Sequence, residues 1–239
     1  GCSKERRQVE MVFFENSVFF GVLLSLLTYG IGSLMKAKLK LPIFNPLLIS
    51  ILLSVLILVV FRIDYSTYYE GAKYLSYLLT PATICLAVPL YEQMELLKKN
   101  WKAIFGGIFA GVLTSLGIIL AMALLFKFSH EEYVTFLPKS ITTAIGMGVS
   151  EELGGYASIT VAIIIITGVV GNICADTVCK LFKITDPVAK GIGIGTASHA
   201  IGTAKAMEMG DVEGAMSSLS IVVSGILTVI AASVFAQFL

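Results

Sequence analysis

The chain has 239 residues, 56% hydrophobic and only 14% charged, with a mean hydropathy of +0.89. Soluble domains carry about 25% charged residues, so this composition excludes a water-soluble globular protein and points to a polytopic helical membrane protein. The net charge of +1 offers no electrostatic footprint for nucleic acid.

A polar tail, residues 1–16, opens the chain; Cys2 in GCSKERR reads as a processing remnant or as part of a native soluble tail. The first apolar run is Ser17–Met35, followed by the basic loop KAKLKLP. The second, Phe44–Phe61, is opened by Asn45-Pro46 and closes at RIDYSTYYEG, read as a polar linker with interfacial tyrosines. The third, residues 74–94, holds Pro81 and Pro89. The fourth runs from Trp101 to Phe128, and the loop after it carries a solvated His130. The apolar part of residues 137–155, LPKSITTAIGMGVSEELGG, is too short to span. A long run, Tyr156–Phe182, follows, then the glycine-rich stretch 187–209, then Met216–Leu239.

The expected fold is all-α, a polytopic membrane protein of about seven transmembrane helices plus a re-entrant or broken helix. A single transmembrane domain, 17–239, follows the tail. PATICLAV (81–88) aligns with PKSITTAI (138–145) at an offset of 57, and the same offset sets Glu95-Leu96 on Glu152-Leu153. An internal duplication with halves 17–128 and 133–239 is one reading of this; chance similarity of small-residue membrane segments is the other.

If residues 137–155 enter and return on one side, the chain crosses seven times. Nine lysines (36, 38, 40, 98, 99, 102, 180, 183, 190) then fall on one side, against Arg62, Lys73, Lys127, Lys139 and Lys205 plus the tail on the other. The nine-lysine side is expected to be cytoplasmic. The discontinuous segments 74–94 and 187–209 then run in opposite senses, as in transporters built from inverted repeats.

Residues 191–210, GIGIGTASHAIGTAKAMEMG, hold five glycines with Thr196, Ser198, His199, Thr203 and Lys205. Gly202 is followed by Thr203, Ala204 and Lys205, which breaks the phosphate-loop pattern, and no βαβ context supports a dinucleotide fingerprint. Helix packing explains the glycines. It does not explain ionisable residues at membrane depth, which tend to face a cavity. A helix interrupted near Gly195 would free backbone N–H groups to attract an anion. Pro81, with Thr80 as cap and Thr83 in its first turn, and Pro138, with Lys139, Ser140, Thr142 and Thr143, offer two similar starts; a simple kink is the alternative at each. The expected site for a small anion is thus Thr83, Lys139, Ser140, Thr142, Thr143, Thr196, Ser198, His199, Thr203 and Lys205.

Asn172 and Asp176 share one face of the helix 156–182. Asp176 is interfacial, pairs with a cation of the bundle, or couples a proton; His199 and Asn172 join it as coupling candidates. Glu92, Glu95, Glu151, Glu152, Glu208, Asp211 and Glu213 are expected in loops. Cys85, Cys174 and Cys179 read as small hydrophobes. No HExxH, no GxSxG and no close Cys/His cluster is present, and no acid is spaced to orient Ser198-His199. No enzyme, metal or cofactor is expected.

The stretches LLTPATICLAVPLYEQ (78–93), LPKSITTAIGMGVSEELGG (137–155) and KGIGIGTASHAIGTAKAMEMGDVEGAMSSLS (190–220) resemble the LrgB/CidB family of bacterial inner-membrane proteins, and the resemblance covers nearly everything after the tail. It implies a holin/antiholin-like protein linked to murein hydrolase control and autolysis, working beside a small LrgA/CidA-type membrane partner. A plastid relative moves glycolate and glycerate, and bacterial members are implicated in pyruvate movement. The expected function is a secondary transporter of small monocarboxylates, proton-coupled through His199 or Asp176. The alternative is a holin-like protein that oligomerises and regulates lysis. The bilayer, a small anionic metabolite and a second copy complete the expected partners.

Overall fold

The computed structural model describes residues 19–39, 44–85 and 87–239; the tail 1–16 with Cys2, Lys40 and the side chain of Thr83 lie outside what is described. Every regular element among the described residues is helical. They form two compact units, one up to Ile84 and one from Cys85 to Leu239.

In the first unit, α1 (Phe20–Leu39) packs on α2 (Pro46–Phe61) and α3 (Tyr65–Ser76). Asn45 starts α2 as expected: its Oδ1 accepts from Leu47 N at 2.8 Å and Leu48 N at 3.3 Å, and Pro46 supplies the preset φ of the first turn. Without a hydrophobic effect between helices in lipid, polar contacts and small residues hold them together. The buried Thr28 hydroxyl lies 3.0 Å from both Ser50 and Ser54, and Ser25 Oγ is 2.8 Å from the Tyr68 hydroxyl.

Residues 65–76 correct the expected linker. Tyr65 and Tyr69, one turn apart, stack at 5.8 Å, and Gly71 is buried against α1. A packed face makes a helix of a segment whose polarity alone suggested a loop. The described residues of the third apolar run are helical, as α4 (Leu79–Cys85) and α5 (Ala87–Glu92). Pro81 falls third in α4, where the missing N–H costs nothing. Thr80 therefore sits inside α4 rather than capping it.

In the second unit, α6 (Met94–Phe126) is 33 residues long, about 50 Å at 1.5 Å per residue. It kinks at Asn100, whose side-chain amide donates to Leu96 O at 3.1 Å. Ile104, Ile108, Val112, Leu116, Ile119 and Ala123 form one buried stripe at spacings of three and four, packed with Tyr133, Val134, Leu137 and Met216. Short α7 (His130–Phe136) starts on a Ser129–Glu132 capping box. A turn leads to α8 (Thr143–Glu152), then α9 (Ala157–Leu181), α10 (Pro187–Met209) and α11 (Asp211–Phe235). The most extensive pairing is α10 with α11.

Segment 137–155 returns to where it leaves. Tyr156 N donates to Thr135 Oγ1 at 2.8 Å, and Thr160 Oγ1 donates to Ser150 Oγ at 2.7 Å and Thr135 O at 3.0 Å. The ten residues of α8 reach about 15 Å, half of a hydrocarbon core of roughly 30 Å. Five stretches among the described residues are long and apolar enough to cross a membrane: Phe20–Leu39, Tyr65–Glu92, Met94–Phe126, Ala157–Leu181 and Asp211–Phe238. Their outward faces are apolar, with Ile118, Leu125, Ile226 and Ile230 exposed. The 23-residue α10 is not among the five, because its glycines and hydroxyls dilute its hydropathy.

Candidate functional site

The interruption of α10 lies at His199, four residues after the expected Gly195. His199 adopts φ 41°, ψ −141°, a left-handed backbone that a non-glycine residue reaches only under strain, and it divides the helix in two. One stripe of α9, spaced by four, holds the break. Ile164 O accepts from His199 Nε2–H at 3.0 Å. A Cβ at Gly168 would come within 2.9 Å of that imidazole, and one at Gly171 would collide with the Ser198 hydroxyl. Asn172 Nδ2 donates to Ile201 O at 2.7 Å, and Asp176 pairs with Lys205 at 2.8 Å. On the opposite side, Thr203 donates to His199 O at 2.9 Å and shares a 2.7 Å bond with Ser217.

The first half of α10 borders a cavity of about 250 Å³ shared with α6 and the turn before α8. Its polar wall is Thr114 and Ser115 from α6, Lys139 and Ser140 from the turn, and Thr196 from α10. Lys139 Nζ donates to Ser140 Oγ at 3.1 Å, and Ser140 Oγ is 3.2 Å from Ser115 Oγ. Among the described residues Lys139 has no carboxylate partner. Thr196 brings a buried hydroxyl with no hydrogen-bond partner among the described residues. A half-buried cation relayed through two hydroxyls can neutralise and orient one small anion, and the volume suits a few heavy atoms rather than a drug-sized ligand.

Of the residues singled out from the sequence, the cavity gathers Lys139, Ser140 and Thr196. His199, Thr203 and Asn172 are committed to the helix break, and Ser198 is pressed against Gly171. Lys205 is committed to Asp176 and Glu208. Thr142 precedes α8 as its N-cap residue and Thr143 opens it; no side-chain capping bond forms. Thr83 stands in α4, in the other unit's stretch of chain, with its side chain undescribed.

Sequence reasoning missed the α6 contribution, having read 101–128 as a plain span. The signal was there: Gly107, Gly111, Thr114, Ser115 and Ile118 recur at helical spacing on one face. It also placed Glu213 in a loop. Glu213 is buried in the first turn of α11, 3.7 Å from Lys190, and Glu92, Glu95, Glu151, Glu152, Glu208 and Asp211 likewise stand in helices.

A model of the LrgB-like family matches residues 25–238. The chain belongs to the LrgB family. As an LrgB-family protein it is a multi-pass protein of the inner membrane and not an enzyme. Among the described residues no group of three or more His, Cys, Asp or Glu comes together to hold a metal ion. No solved structure matches the chain.

Proposed function

We propose that this LrgB-family protein is a holin/antiholin-like regulator of murein hydrolase activity and cell lysis, acting with a small LrgA/CidA-type membrane partner. Family membership over residues 25–238 carries this reading. A specific observation favours a second one, a secondary transporter for small monocarboxylates of the pyruvate, glycolate or glycerate type. The Lys139–Ser140–Ser115 relay lines a cavity between α6 and the first half of a broken helix. Interrupted helices and a cation without a counter-ion are what a carrier uses to hold an anion within the bilayer.

The two readings part in proteoliposomes holding only the purified chain. A carrier gives saturable uptake of labelled pyruvate, glycolate or glycerate and retains an unrelated trapped dye; a proton gradient drives it if it is proton-coupled. A hole-forming protein releases dye and metabolite alike, without saturation. Silence in both assays, followed by dye release or restored murein hydrolase control on adding the small partner, supports the lysis-regulating reading and removes the autonomous carrier.

A further inference from the structure

Away from the cavity at Lys139, a second hollow of about 400 Å³ opens where α9 ends and α10 begins. Its wall carries Lys180, Lys183 and Lys190 against the single carboxylate of Asp176, with Ile184 and Met209 beside them. That carboxylate is already taken by Lys205 at 2.8 Å, and Lys190 meets Glu213 only loosely, at 3.7 Å. Among the described residues Lys180 and Lys183 pair with no carboxylate. The turn that presents them is fixed at both ends. Lys183 takes a left-handed φ of 53° to close α9, with Ile184 N donating to Cys179 O at 2.8 Å. Asp186 Oδ1 then accepts from Ala189 N at 2.9 Å to start α10.

We propose that this hollow binds the phosphate group of an anionic glycerophospholipid. Excess positive charge in a concave site selects a phosphate ester. The surroundings select the lipid over a soluble ester: Ile184 and Met209 line the hollow itself, and Leu181 and Phe182, 72% and 70% exposed, extend the apolar surface of α9 to the level of the lysines. A headgroup can therefore sit in the hollow while its acyl chains lie along α9. The site does not depend on which activity the cavity at Lys139 serves.

The test titrates the purified full chain with phosphatidylglycerol or phosphatidylcholine and counts bound lipid by native mass spectrometry. Phosphatidylglycerol is expected to bind more tightly, and Lys180→Gln/Lys183→Gln to weaken it about 30-fold, from roughly 1 kcal/mol per lysine near a membrane surface. Lys98→Gln/Lys99→Gln, which removes the same charge from exposed positions outside the hollow, is expected to leave binding unchanged. Equal losses in both double variants, or no preference for phosphatidylglycerol, overturn the proposal. Displacement of the lipid by an equal concentration of glycerol phosphate also overturns it, by making the ligand a soluble ester.

Discussion

The backbone at His199 is the residue-scale feature with the clearest energetic consequence. A φ of 41° with ψ −141° costs a residue with a Cβ about 1–3 kcal/mol, and the imidazole offsets part of this through its bond to Ile164 O. The two contributions separate by substitution. His199→Ala keeps the strain and loses the bond, whereas His199→Gly loses the bond but releases the strain. The glycine variant is expected to melt higher than the alanine variant, by about 1 kcal/mol or more, as read by thermal unfolding in detergent. Equal melting would mean that neighbouring packing, not the residue at 199, sets the break. Lys139 presents the complementary case, a side chain whose value lies in function. Under the carrier reading, Lys139→Met removes the charge-assisted contact to the anion. Half-saturation should then rise about 10- to 100-fold, measured as uptake against concentration, with insertion and melting near those of the unaltered chain. Ser115→Ala should show a smaller rise, because Ser115 meets the cation only through Ser140.

At the scale of elements, the α10–α11 pair shows how backbones are brought close where lipid gives no hydrophobic drive. A Cβ at Gly195 would lie 2.8 Å from Ser217 Cα, so Gly195→Ala must push the helices apart. That is expected to cost about 1–3 kcal/mol and to disturb the bond the same Ser217 makes to Thr203, about two turns further along α10. A substantial drop in melting temperature checks it, with Gly193→Ala, which meets open space, as the tolerant control. The turn 137–155 makes a parallel case: Thr160→Val strands the buried Ser150 hydroxyl and Thr135 carbonyl, about 1–3 kcal/mol, and should expose this turn to proteolysis first. These elements also mark what the sequence could carry. Long apolar runs announced α1, α2, α6, α9 and α11, because span length is a local property. Asn45-Pro46 announced the start of α2, because capping is local too. The break in α10 was legible as a glycine-rich interruption but was expected at Gly195. Its true place depends on a stripe of another helix, Ile164, Gly168, Asn172 and Asp176, that no local pattern reveals. For the same reason Lys205 looked available to an anion until α9 supplied Asp176, and the polar face of α6 passed for ordinary span.

For the whole molecule, the outstanding quantity is the number of crossings, and the second unit constrains it. Tyr156, at the start of α9, is hydrogen-bonded to Thr135 of α7, so α7 lies at one end of α9 and Thr185 follows its other end. Twenty-five residues of helix separate those ends by about 38 Å, more than a hydrocarbon core of roughly 30 Å. Glu131 and Thr185 are therefore expected on opposite sides of the membrane, with segment 137–155 beginning and ending on the side of Glu131. The seven-crossing reading of the lysine bias expects the same arrangement, with Lys180, Lys183 and Lys190 beside Lys98, Lys99 and Lys102 in the cytoplasm. The check uses single cysteines in a background with the native cysteines replaced. Glu131→Cys should react with a membrane-impermeant maleimide in intact spheroplasts. Thr185→Cys and Lys98→Cys should react only after the membrane is opened. Labelling of residues 131 and 185 from the same side would require 137–155 to span, adding an eighth crossing. It would also remove the opposed sense of segments 74–94 and 187–209 on which an inverted repeat depends.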